Sequence, residues 1–330
     1  DGLLVILKSG FKSPRNMGTV LANAAPLIMT GLSVGFAFKT GLFNIGAAGQ
    51  YTLGAFGALY CAIVLQWPWY LCLLAAMLFG AIWGALPGIF KAYLNINEVI
   101  TAIMFNWIGL YMVNDIMYGK GKSPMYDLAS TKTYSLRKAA PQAMIPSLGM
   151  SELFGKLQSV TIAIFIAIFF AIVVYIILNK TAFGYELRAC GFNKNAARYA
   201  GINEKRNIIL AMMISGALAG VGAGLYYLST VAEWNPQVST ALPAMGFNGI
   251  STALLACSNP IGTIFSSLFI SYITVGGTKL STQYYTKEIA DVITALIIYL
   301  CAFSLLFKNK IRALLVGKAK RVSVGKGGDD

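Results

Sequence analysis

Residues 160–178 read VTIAIFIAIFFAIVVYIIL. Thr161 and Tyr175 are the polar interruptions, and neither is charged. A helix needs roughly 20 mainly apolar residues to cross a bilayer, and water would not solvate such a segment on every face. The run therefore reads as a transmembrane helix. Working outward, comparable runs occur at about residues 17–38, 46–65, 71–93, 97–117, 207–229 and 288–307. Two shorter ones, about 242–256 and 261–275, flank Ser258, Asn259 and Pro260. Short segments broken by Gly or Pro are typical of transporters, where unwound backbone lines a cavity. The expected fold is all-α: a polytopic transmembrane helical bundle of about eight to ten spans, with short or interrupted helices. Residues 1–330 form a single transmembrane domain.

The composition agrees. Of 330 residues, 57% are hydrophobic and 12% charged, against about 25% charged in a soluble domain. That excludes an ordinary soluble enzyme and a disordered chain. There is no His, so a Ser-His-Asp triad, a His proton relay and a His metal ligand are all excluded. Cys61, Cys72, Cys190, Cys257 and Cys301 are scattered and form no CxxC pair, so neither a zinc site nor a disulfide framework is implied. The formal charge of +14 reads as basic cytoplasmic loops facing anionic lipid and partner proteins rather than as a nucleic-acid footprint.

The basic residues orient the chain. Residues 179–206 and the tail 308–330 together hold 13 of the 26 Lys and Arg, which places both in the cytoplasm. The polar stretch 118–157 then falls outside, although it carries basic residues of its own. Residues 1–16 also lie outside, as they would after a preceding helix. Gln66, Trp67, Pro68, Trp69 and Tyr70 read as a turn at the membrane–water boundary, where amphipathic aromatics anchor.

Glycines recur at helical spacing at Gly216, Gly220 and Gly224, at Gly80, Gly84 and Gly88, and at Gly31 and Gly35. Such faces let helix backbones approach closely. The sequence Gly119-Lys120-Gly121-Lys122-Ser123 ends like a Walker A motif, but Ile116 stands where its first Gly is required. Energy from ATP must therefore come from another polypeptide. Glu98, Asp115, Glu288 and Asp291 sit near span ends, which argues against a proton-coupled carrier.

Neutral amides dominate the polar groups of the spans: Asn44, Gln50, Asn106, Asn114, Asn248 and Asn259, with Thr101 and Ser251 adding hydroxyls. Phe43, Phe105, Trp107 and Phe247 sit beside several of them. Amides donate and accept, and aromatic faces stack on a planar ring. The set suits a neutral polar solute with a flat face and suits an acidic one badly. The competing reading of each amide is an interhelical hydrogen bond. Asn97 can cap the helix that follows it, with Glu98 opposing the dipole. In the basic stretch, Asn193 can cap a short helix, 194–200, which Gly201 ends. Arg198, Tyr199, Ala196 and Ala197 on that helix could insert in a partner's groove.

These residues resemble a known family. Phe43-Asn44-Ile45-Gly46-Ala47-Ala48-Gly49-Gln50 resembles the FNIGxEGQ motif of ABC importer permeases in the nucleoside/simple-sugar branch, which is similar to the ribose and branched-chain amino acid permeases. Asn97-Glu98-Val99-Ile100 with Asn106 matches its NEVI…N segment. Gly191 to Ile202 resembles its cytoplasmic coupling segment. Gly246-Phe247-Asn248-Gly249-Ile250, then Asn259-Pro260-Ile261-Gly262, resembles its GFxGI…NPxG region. The likeness runs from about residue 20 to 307. Ala48 replaces an acidic residue, and Asn248 stands where Asp is common.

The resemblance implies a permease subunit of a bacterial inner membrane that takes up nucleosides or a related neutral polar solute. Its partners would be a second permease, ABC ATPase subunits and an extracytoplasmic substrate-binding lipoprotein, besides membrane lipid. This chain would bind no cofactor itself, and the ATPase subunits would use ATP and Mg. The expected substrate pathway comprises Phe43, Asn44, Gln50, Asn97, Asn106, Phe247 and Asn248. The expected ATPase-coupling residues are Asn193, Ala196, Ala197, Arg198, Tyr199 and Gly201. The alternative is a stand-alone secondary carrier or channel for a small polar solute.

Overall fold

The computed structural model describes residues 12–118, 124–127, 132–234 and 241–278, with isolated helical positions between 292 and 299. Helix α1 (Pro14–Lys39) starts where Ser13 accepts the Asn16 N–H and Pro14 takes the first helical position, where its missing N–H is no loss. A non-helical turn then leads into α2 (Ala47–Ile63), which is buried at every residue except Tyr60. Helices α3 (Trp69–Leu94) and α4 (Glu98–Tyr118) follow. Asn95, left-handed at φ 53°, ends α3. Asn97 accepts the Val99 N–H at 2.9 Å, and a 2.8 Å Lys91–Glu98 ion pair bridges the two helices.

Helix α5 (Ala163–Lys180) is the apolar run with which the reading of the sequence began. It passes into α6 (Ala182–Phe192), α7 (Lys194–Tyr199) and α8 (Glu204–Leu228). Three side-chain caps mark these joints: Thr181 accepts from Gly184 N, Asn193 from Asn195 N and Ala196 N, and Asn203 from Arg206 N. The chain closes its described part with α9 (Ala244–Leu255) and α10 (Pro260–Gly277).

Three helices make the centre. The apolar window of α1 is 89% buried and that of α8 67%, and α8 packs against both α1 and α2. By contrast, α3, α4 and α5 bury only 33% of theirs. Their outer faces carry Leu78, Ile82, Met104, Ile108, Phe165 and Phe169, all exposed. A water-soluble protein would not present such faces on several helices; they suit lipid or another apolar surface. Six helices among the described residues are long and apolar enough to cross a membrane, which makes this a multi-pass membrane protein.

The glycine faces meet as their spacing predicts. A Cβ on Gly84 would lie 2.5 Å from the Met212 carbonyl oxygen, and one on Gly80 2.9 Å from Gly220 Cα. The backbones of α3 and α8 are therefore in contact. In lipid this close packing, rather than hydrophobic exclusion, holds helices together.

Two expectations need correction. The run at 261–275 is not short: α10 has 18 residues. Thr263 and Thr274 return their hydroxyls to carbonyls one turn back, so the helix continues through residues that hydropathy alone discounts. The basic stretch 179–206 contains an 11-residue helix, α6, ahead of the expected short one. The expected break before Pro260 is present. Cys257 and Ser258 both have positive φ, and Asn259 accepts the Ile261 and Gly262 N–H groups. The final apolar run at 288–307 lies largely, and the tail entirely, outside the described residues.

The stretch 118–157 and the stretch 179–206 lie at opposite ends of the bundle, joined by the full length of α5. The first contains a two-stranded ribbon, β1 (Tyr126–Asp127) with β2 (Lys132–Thr133). It is tied to the end of α8: Thr133 N–H donates to the Trp234 carbonyl, Ile145 N–H to that of Leu228, and Thr161 and Ser229 share a 2.8 Å hydroxyl bond.

Candidate functional site

The turn between α1 and α2 carries Asn44 into the middle of the bundle. Its amide nitrogen donates to Gln50 Oε1 at 2.7 Å, to Ser215 Oγ at 2.7 Å and to Ser33 Oγ at 3.2 Å. Gln50 Nε2 donates back to Asn44 Oδ1 at 3.1 Å. Ser33 and Ser215 share a further hydroxyl bond, and Ser215 Oγ reaches the Ser33 carbonyl at 2.7 Å. All four residues are buried. The knot joins α1, α2, α8 and the turn, and satisfying polar groups so far from water makes it stiff.

Asn106, also buried, secures the same region from α4. Its Oδ1 accepts the Gly49 N–H at 2.8 Å, one of the free donors in the first turn of α2. Its Nδ2 donates to the Ile45 carbonyl at 3.0 Å. The three central amides expected to line a pathway thus bond to protein in this conformation, as interhelical ties. Sequence reasoning missed Ser33 and Ser215. The available signal was a hydroxyl set within a glycine face: Ser33 lies between Gly31 and Gly35, and Ser215 precedes Gly216.

The remaining pathway candidates lie elsewhere. Phe43 is half-buried and stacks on Phe38, with ring centroids 5.0 Å apart. Asn97 is exposed at the start of α4, where it caps. Phe247 is exposed and Asn248 half-exposed on α9. That helix begins inside the bundle: Gly246 lies against the backbone of Ala48, and a Cβ on Gly249 would be 2.7 Å from the Thr30 carbonyl carbon. Ala48 is wholly buried at that crossing, which its small side chain permits. Helix α9, only 12 residues long, thus packs on the start of α2 through its glycines and leaves an amide and an aromatic ring on its open side.

The other end of the site is α6 and α7. Asn193 accepts the Asn195 and Ala196 N–H groups at 3.0 and 3.1 Å. Gly201, at φ +80°, turns the chain out of the helix. Ala197 is buried, while Ala196, Arg198 and Tyr199 are exposed. A cavity of about 460 Å³ runs between α6 and α7, lined by Tyr185, Arg188, Phe192, Ala196, Ala197 and Ile202 among others. Phe192 is 91% exposed and Tyr199 95%. Both rings thus stand in the open beside an apolar groove. Phe192 lies in the stretch that resembles the coupling segment and Arg188 in the basic stretch, but neither they nor Tyr185 were among the expected coupling residues, because the helix that presents them was not expected.

The chain is similar along most of its length to known permeases. A family model described as the branched-chain amino acid transport system / permease component matches residues 16–302. The nucleoside ABC transporter permease protein NupB of Lactococcus lactis subsp. cremoris is 33% identical over 326 residues, covering 97% of this chain and 88% of that one. The guanosine ABC transporter permease protein NupP of Bacillus subtilis is 33% identical over 310 residues, with 92% and 84% covered. The glucose ABC transporter permease protein TsgB13 of Haloferax volcanii is 28% identical over 317 residues, with 94% and 82% covered. No solved structure matches.

Proposed function

The chain belongs to the family of the branched-chain amino acid transport system permease component, and on that premise we propose that it is the membrane subunit of an ABC importer for nucleosides. The observation that carries the solute class is likeness along nearly the whole chain, at 33% identity, to one nucleoside and one guanosine permease. The weaker likeness to a glucose permease makes a sugar the competing solute. A flat, neutral, hydrogen-bonding solute also fits the amides and rings of α9 and the turn before α2.

In this reading a second permease packs on the exposed apolar faces, and the path for the solute runs between the two subunits. The residues proposed to meet it are Phe247 and Asn248 on α9, with Phe43 and Asn97 toward the basic end. Asn44, Gln50 and Asn106 act behind them, holding the α2 start where α9 crosses it. The end carrying residues 179–206 faces the cytoplasm of a bacterial cell, as its basic residues favour. Separate ATPase subunits bind ATP and Mg and engage α7 through Asn193, Ala196, Ala197, Arg198, Tyr199 and Gly201. A lipoprotein outside the membrane delivers the solute.

The test is uptake into proteoliposomes holding this chain with its partner permease, ATPase and lipoprotein. ATP-dependent accumulation of labelled guanosine or another nucleoside, without accumulation of glucose, is the expected result. Glucose uptake alone would transfer the assignment to sugars. Uptake by the lone chain, without ATPase, would establish the carrier or channel reading instead.

A further inference from the structure

Two routes lead from the proposed ATPase-binding helix to the central amide knot: α8, which follows α7 and carries Ser215, and one backbone-to-backbone contact at the end of α6. Gly191, at the end of α6, presses on Thr40 and Gly41, which follow α1. A Cβ on Gly191 would lie 2.5 Å from the Thr40 carbonyl carbon and 2.6 Å from Gly41 N. On the facing side, a Cβ on Gly41 would lie 2.6 Å from the Gly191 carbonyl oxygen, and Gly41 is left-handed at φ +74°. No side chain cushions the contact, so a push of either segment toward the other displaces it. The joint continues stiffly in both directions. Two residues beyond Gly191, Asn193 caps α7. Beyond Gly41, the Leu42 N–H donates to the Ala37 carbonyl at 2.9 Å, Leu42 is buried, and Phe43 stacks on Phe38. Asn44 follows, tied to α1, α2 and α8.

We infer that the Gly41–Gly191 contact is a mechanical joint through which movement of α7 reaches the turn that carries Asn44 into the amide knot at the start of α2. The inference rests on the reading of α7 as the ATPase-binding helix and adds where the movement goes. A small shift is enough. Packed cores switch between discrete arrangements rather than yielding continuously, and the contact begins a chain of touching groups rather than a mere alignment of positions. The knot is the first element on that chain shared by three helices. Moving it moves the start of α2, against which α9 and its exposed Phe247 and Asn248 are packed.

The inference is tested in the fully assembled transporter in proteoliposomes. Gly41→Ala, on the side of the contact remote from α7, should leave ATPase assembly and basal ATP hydrolysis in place while uptake per ATP falls by about tenfold or more, the scale of an ångström-sized misplacement remote from the chemistry. Gly35→Ala is the control, because its Cβ would meet nothing nearer than 3.7 Å. Uptake and hydrolysis both unchanged in Gly41→Ala would overturn the joint. A second measurement covers a variant that does not assemble. Spin labels on Lys39→Cys and Lys194→Cys, with native cysteines removed, report the joint by dipolar broadening; labels on Tyr70→Cys and Lys194→Cys report the span across the membrane. On ATP trapping the 39–194 separation should hold while the 70–194 separation shifts. Movement in both overturns the joint alone. A fixed 70–194 separation overturns the coupling reading of α7 and the joint with it.

Discussion

Asn44 and Ser215 lie 171 positions apart in the chain and are joined by a 2.7 Å hydrogen bond at the centre of the bundle. Through that bond the turn before α2 is fastened to α8, and Ser33 and Gln50 complete the knot. Asn44→Ala would leave Gln50 and both serines short of partners where water does not reach. Each buried polar group left unpaired costs about 1–3 kcal/mol. Ser215→Ala removes one hydroxyl and leaves the Asn44–Gln50 pair intact. Thermal denaturation of the detergent-solubilised subunit should therefore show a larger loss for Asn44→Ala than for Ser215→Ala. Equal losses would mean that the knot does not act as a unit.

The crossing of α3 and α8 predicts a graded response among glycines that look alike in sequence. A methyl group on Gly216 would strike backbone, lying 2.9 Å from Gly84 Cα and closer still to the Gly80 carbonyl oxygen. On Gly224 its nearest neighbour would be the mobile end of the Leu73 side chain, at 2.8 Å. Overpacking against atoms that cannot move costs about 1–3 kcal/mol or more. Gly216→Ala should lower the yield of monodisperse protein in size-exclusion chromatography, and Gly224→Ala should lower it little.

The bundle and its breaks were legible in the sequence because membrane helices announce themselves by length and apolarity. The runs around 17–38, 71–93, 97–117 and 207–229 became α1, α3, α4 and α8 within a few residues. Two caps were equally readable, Asn97 and Asn193, which accept the N–H groups that their positions require; Asn259, read only as a span amide, proves to be a cap as well. The amides were visible as polar groups in apolar runs, but not the direction each faces. Facing is fixed by the tertiary crossing, and Asn44, Gln50 and Asn106 face protein. Ser33 and Ser215 carried too little signal, since a lone hydroxyl in a helix usually bonds its own preceding turn. Helix α6 was hidden because its sequence, AFGYELRACGF, has neither a long apolar run nor a clean amphipathic period. Thr181 at its start was the one cue.

Asn193 gives a prediction about local order. Removing an Asn cap costs a helix about 1 kcal/mol, which is large for α7, only six residues long. Asn193→Ala should speed amide exchange over residues 195–199 by about fivefold, the factor that 1 kcal/mol implies for local opening, while exchange in α8 stays unchanged. Asn193→Asp keeps the acceptor and should restore protection. Failure of Asp to restore it would mean that Asn193 contributes through something other than its cap.

Phe192 and Tyr199 separate fold from partnership. Both rings are almost fully exposed, so the isolated subunit gains little from them. The double variant Phe192→Ser, Tyr199→Ser should shift subunit stability by no more than about 0.5 kcal/mol, as surface substitutions do. Binding of the ATPase is another matter. Aromatic anchors beside a groove are the residues on which interfaces depend, and each contributes about 2 kcal/mol or more where it is a hot spot. Co-purification of the ATPase with the double variant should therefore fail at protein concentrations that suffice for the unmodified chain. Arg198 provides the contrast. Its charge stands at the solvent-facing end of α7, so Arg198→Ala should change the salt dependence and association rate of the complex more than its lifetime. Association of the ATPase with the serine double variant at undiminished affinity would remove α6 and α7 from the interface and leave their exposed rings without a role.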